Sequence, residues 1–156
     1  MYTIRPEDFN YINYSDEDVI RSWEWFMSMI PGTEWQLRKE AIEAGISSFR
    51  DDSQFSDSPR TETVLSYKDD QIGWYLYLIE CAVTANYKYE QIQGSRVLPL
   101  FKRLGMDFVL LLQIGSIEQK VRTLLTAKKK EADSVLFEIL TALLWMRNGW
   151  NVTFIK

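Results

Sequence analysis

The final twenty-five residues, Ala132 to Lys156, constrain the fold more than any other stretch. Leu136, Ile139, Leu140, Leu143 and Met146 recur at three- and four-residue steps, one apolar face of an α-helix. Phe137, Leu144 and Trp145 widen that face until most of the circumference is apolar, which predicts a buried helix rather than one laid on a surface. Asp133 or Ser134 is placed to cap the first free N–H groups. Arg147 suits the negative end of the helix dipole, and Asn148-Gly149 supplies a left-handed stop. Trp150, Val152 and Phe154 then alternate with Asn151, Thr153 and Ile155, the period of a β-strand.

A chain of 156 residues, 46% hydrophobic and 26% charged, has enough length and apolar surface for one globular domain. It contains no histidine, which excludes His-based triads and His metal ligands. The single cysteine, Cys81, lies in an apolar run and reads as a buried, inert thiol. No apolar segment follows Met1, and the longest apolar run, Trp74 to Ile79, is far short of the roughly 20 residues that span a bilayer. A cytoplasmic chain without membrane contact is the expectation.

Helical periodicity recurs along the chain. Ser15 before Asp16-Glu17-Asp18 reads as an N-cap with acids in the first turn, followed by Val19, Trp23, Phe26, Met27 and Ile30 on one face. Pro31-Gly32 ends that helix. Thr33 with Gln36 reads as a capping box for a second helix, with Trp35, Ile42, Ile46 and Phe49 inward and Arg38 and Lys39 interrupting its face. The short connection predicts an αα-hairpin within residues 1–50, with residues 1–14 as an irregular N-terminal arm. Residues 51–68 carry a loop composition, although 61–67 alternate as a short strand would. Residues 69–148 form the helical core. It contains a central helix opened by Asp69, a helix capped by Ser95 with Pro99 near its first turn, a break at Gly105, and a helix capped by Ser116 and Gln119. The fold class is mainly α: a compact single domain of six or seven helices ending in a β-strand at 150–156, with 61–67 as that strand's candidate partner.

Charge is uneven. Residues 1–90 carry 8 Lys and Arg against 17 Asp and Glu; residues 91–156 carry 10 against 5. One reading is a basic patch for phosphates built from Lys102, Arg103, Lys120, Arg122, Lys128, Lys129 and Lys130. Another is two halves that attract each other. Glu80 and Glu138 are the internal charges of the two most apolar helices. Together they could hold a metal, but each could equally pair with a Lys or Arg, the usual arrangement for a Glu in an apolar helix. No glycine-rich phosphate loop or Cys-x-x-Cys pair is present.

Phe137-Glu138-Ile139-Leu140-Thr141-Ala142-Leu143-Leu144, followed by Asn148-Gly149-Trp150-Asn151-Val152-Thr153-Phe154, resembles the opening helix and strand of the restriction-endonuclease-like, PD-(D/E)xK family. The resemblance implies that Glu138 is a catalytic carboxylate. It also implies that a metal-binding Asp and a Glu-x-Lys belong on following strands, which this sequence does not include. The implied role is a non-catalytic interaction or scaffold domain, the N-terminal part of a longer bacterial nuclease-like protein, with no cofactor in this chain and a protein partner or downstream domain as its target. The alternatives are a stand-alone nucleic-acid-binding module using the basic 96–130 region, and a small protein that forms a homodimer through the 150–156 strand.

Overall fold

The structure is a computed structural model that describes residues 16–53, 67–84 and 90–155, with the backbone alone over 48–53. Seven α-helices lie within them: α1 (Glu17–Met27), α2 (Gly32–Ser53), α3 (Gln71–Val83), α4 (Gln91–Met106), α5 (Phe108–Gln113), α6 (Ile117–Thr126) and α7 (Ala132–Arg147). The mainly helical fold predicted from periodicity is what forms. No helix among the described residues is long and apolar enough to cross a membrane.

Helix α3 is the centre. Every residue from Ile72 to Ile79 is buried, as are Cys81 and Ala82. Such a run is stable in water only when neighbours cover it on all sides, and α1, α2, α4 and α6 do so. Its one internal charge, Glu80, accepts from Lys39 Nζ at 2.5 Å and from Trp35 Nε1 at 2.8 Å. The apparent interruption of the α2 face by Lys39 is therefore the partner that Glu80 requires.

Arg38 has a similar role deeper inside. It is buried, and its guanidinium grips Asp70 bidentately, Nε to Oδ2 at 2.6 Å and Nη2 to Oδ1 at 2.7 Å, while Nη1 donates to the Leu125 carbonyl at 3.1 Å. Asp70 also accepts from Gly73 N–H at 2.9 Å, so it, rather than Asp69, caps α3. One carboxylate thus joins α2 to the start of α3, and Arg38 extends the link to the end of α6.

Helices α1 and α4 approach closely. Ser22 Oγ donates to the Phe101 carbonyl at 2.7 Å, and Arg21 to the Gly105 carbonyl at 3.1 Å. A Cβ on Gly105 would overlap the Asp18 carbonyl. Gly105 therefore does not break α4, as the sequence suggests. It admits α1, and the break falls at Asp107, between α4 and α5.

Several predicted caps move for local reasons. Asp16 caps α1, accepting from Asp18 and Val19 N–H. The Pro31 carbonyl takes the Trp35 N–H at 2.9 Å, so α2 begins before Thr33 and the predicted box does not open it. Glu90 accepts from Ile92 and Gln93 N–H, which starts α4 ahead of Ser95 and leaves Pro99 in its interior. The carbonyl deprived of its helical partner there, that of Ser95, belongs to an exposed residue and can reach water. Ser116 sits at φ 61° and makes no side-chain cap. Asp133 lies inside the first turn of α7, where it accepts from Tyr75 Oη at 2.5 Å and Arg96 Nη2 at 3.1 Å, tying α7 to α3 and α4.

The end of α7 follows its sequence closely. Gly149 adopts φ 86°, its N–H donates to the Met146 carbonyl at 3.0 Å, and Trp150 N–H donates to the Trp145 carbonyl at 3.1 Å. This pair of bonds is the Schellman motif that a glycine stop permits. Residues 150–155 do not form the predicted strand. They are extended and make one isolated parallel bridge, Gly115 with Thr153. A strand needs a ladder of bonds, and Gly115 offers a single residue between α5 and α6. The proposed partner 61–67 lies outside the described residues apart from Tyr67.

Candidate docking groove

Helix α7 buries one face only. Val135, Leu136, Ile139, Ala142 and Leu143 enter the core. The opposite side leaves Phe137 72%, Leu144 57% and Trp145 51% exposed, and Trp150 just past the turn is 61% exposed. Helix α7 is therefore not buried all round, although its apolar circumference predicts that; its second apolar stripe has no neighbour among the other described helices.

The stripe borders a groove of about 600 Å³ lined by α7 on one side and by residues 150–154 on the other. Trp145 and Trp150 meet edge to face at its upper end, ring centroids 5.9 Å apart. At the lower end Lys120 Nζ lies 5.0 Å from the Phe154 ring centroid and pairs with Glu138. The extended segment therefore runs back along α7, from beside Trp145 towards Glu138. About 10 Å of helix separates those two residues at 1.5 Å per residue, and about 13 Å of extended chain separates Trp150 from Phe154. The two lengths are comparable; Thr141 lies near the middle of the helical side, and Thr153 lies one residue from the Phe154 end of the segment.

The backbone of the segment is half used. The Val152 carbonyl accepts from Gly115 N–H at 2.9 Å, and Phe154 N–H donates to the Gly115 carbonyl at 2.9 Å. Adjacent residues of an extended chain present their polar groups to opposite sides. Those of Asn151, Thr153 and Ile155 therefore face away from Gly115, and none of them makes a hydrogen bond among the described residues. The groove combines an apolar platform with an unpaired backbone edge.

The residues predicted as a basic patch are dispersed among carboxylates. Lys102 pairs with Asp16 and reaches Asp18 at 3.8 Å; Arg103 meets Asp107 at 3.3 Å. Arg122 meets Glu118 at 2.7 Å, Lys128 meets Glu131 at 3.2 Å, and Lys130 lies 3.9 Å from Asp69. Lys129 stands at a small surface hollow beside Asp69, Asp70 and Glu34. Lys120 and Lys128 share a depression that Phe154 and Ile155 also line. Glu138 lies at the groove, held by Lys120, while Glu80 is held by Lys39 and Trp35 between α2 and α3; the structure does not bring the two together. Among the described residues no group of three or more Cys, Asp and Glu side chains gathers as metal ligands. Cys81 is buried, and that burial pushes its thiol up to about 11.

The residues that sequence reasoning passed over are Phe137, Trp145 and Trp150 as a surface; the sequence marks 150–156 as a pairing edge, but as a strand rather than as an extended segment with one bridge. The available signal was the excess itself: α7 carries more apolar circumference than one core face requires. No known family model matches the chain, and neither a curated protein nor a solved structure matches it.

Proposed function

We propose that this chain is a non-catalytic helical interaction domain that binds an extended segment of polypeptide in the α7 groove. The observation that carries the reading is the coincidence of the Phe137–Trp145–Trp150 platform with the unpaired Asn151, Thr153 and Ile155 backbone. A strand laid beside 150–155 gains main-chain hydrogen bonds from the edge and side-chain burial from the platform, the two components of β-augmentation. The groove's one ionisable side chain, Glu138, is already neutralised by Lys120, so the surface fits an uncharged segment rich in apolar and β-branched residues.

The test is site-specific photo-crosslinking in cells. A benzoyl-phenylalanine at position 137 should give a discrete adduct whose crosslinked peptide reads as an alternating strand. The same probe at Leu37, an exposed apolar residue on α2, should not. Equal labelling from both positions, or adducts that persist when Thr153 is replaced by proline, would overturn the reading. A crosslinked peptide from a nuclease-like domain would connect the groove to the family that residues 137–154 resemble.

A further inference from the structure

We propose that the occupant of the groove is the same segment of a second copy of this chain, giving a symmetric dimer; the inference rests on the docking reading above. The segment from Asn148 to Ile155 contains no charged residue and no proline. Exposed strand edges are ordinarily protected by lysine, proline or a bulge. Between Asn148 and Ile155 this one carries none of them, the first lysine being Lys156, and Ile155 is 97% exposed.

The segment also complements itself. An antiparallel pairing centred on Thr153 sets Thr153 opposite its own copy, and Asn151 opposite Ile155. These are the residues whose backbone groups face outward, so each pair can exchange two N–H···O=C bonds. Val152 then falls opposite Phe154 in the closer, non-hydrogen-bonded kind of pair, and both pack against the core. The same two-fold axis serves the helices. Phe137, Thr141 and Trp145 are spaced by four residues along α7, so a copy related through Thr141 brings Phe137 towards the second copy's Trp145, large against large, with the small threonine at the crossing. Thr141 and Thr153 both line the groove, and the proposed dimer places one axis close to both. A two-fold interface must be complementary to itself in this way. The absence of net charge at its centre means that two copies do not repel there.

Sedimentation equilibrium of the purified full chain provides the test, run across a concentration series into the tens of micromolar. The expected result is a reversible dimer. Thr153→Pro removes the outward N–H and leaves in place the groups of the inward bridge, Val152 C=O and Phe154 N–H; Thr153→Val, which keeps that N–H, controls for loss of the threonine hydroxyl beside Gly115. The proline variant should weaken dimerisation by about tenfold or more, whereas Thr153→Val should not. Trp145→Lys, at an exposed position, offers a second disruption without touching the core; unchanged circular dichroism verifies that it folds. A chain that stays monomeric throughout, or a dimer unaffected by both Thr153→Pro and Trp145→Lys, overturns the proposal. If the chain is monomeric but the position-137 probe still captures a strand of another protein, the docking reading stands and only the identity of the occupant fails. If both experiments are negative, the groove is not a docking site.

Discussion

At the residue scale, Arg38 shows how far a single buried charge reaches. It touches the cap of α3 and the last turn of α6 from a position in α2. Removing one member of a buried, fully hydrogen-bonded pair leaves the other without compensation, so Arg38→Ala should cost about 3–5 kcal/mol, read as a lower urea midpoint at unchanged m-value. Asp70→Asn, which keeps a cap oxygen for Gly73, should cost less. Tyr75 makes a pH-dependent contribution. Burial, and then the hydrogen bond to Asp133, push its phenol up to about 12. The fold therefore favours the neutral form. Its contribution is complete below the unfolded value of about 10 and is lost as pH rises from there towards about 12, because the unfolded chain ionises first. Tyr77 shifts in the same direction, so Tyr75→Phe should reduce, without abolishing, the fall in melting temperature across that window. Neither residue's role could be read locally. The sequence shows Arg38 as an interruption of an apolar face, and its partner lies 32 residues away.

At the element scale, helices were legible where a three-to-four-residue period met a clear stop. The face of α1 and the glycine turn after α7 follow directly from that pattern. Helix starts were less legible because several oxygens compete for the first N–H groups, and the winner depends on where the preceding chain arrives; Glu90 outcompetes Ser95 for this reason. Gly105 shows a different limit. Its position inside an apolar period suggested a break, yet its function is steric and belongs to the α1–α4 crossing. Gly105→Ala should destabilise by about 1–3 kcal/mol, since the opposing atom is a backbone carbonyl that cannot rotate aside. Gly149→Ala should cost about 1 kcal/mol for a different cause, the positive φ of the Schellman turn, because nothing lies near the added methyl. Thermal melts of the two variants separate the causes. The Gly105 change should loosen the α1–α4 contact, detected by hydrogen exchange at Phe26, and the Gly149 change should leave those amides protected.

At the scale of the whole molecule, the uneven charge of the sequence resolves into contact between the acidic and basic parts of the chain. Lys102 reaches back to Asp16 and Asp18, and Lys130 to Asp69. Such exposed pairs contribute little each; among the described residues the exposed apolar stripe of α7 with Trp150 is the feature they leave unexplained. The candidate site was half legible for the same reason: periodicity counts apolar residues but does not say which of two stripes a neighbour covers. Tryptophan reports the difference. Trp35 and Trp74 are buried and Trp23 and Trp25 partly so, whereas Trp145 and Trp150 flank the groove and are exposed. Acrylamide should quench the emission in two classes, and Trp145→Phe with Trp150→Phe should remove most of the accessible class while leaving the melting temperature nearly unchanged. Raising the concentration of the unmodified chain should shield those two indoles and move the emission to shorter wavelength, while the Thr153→Pro chain keeps them accessible. A dimer should also melt at a temperature that rises with concentration. The groove as an interface requires the fluorescence shift and the melting shift to occur over one concentration range.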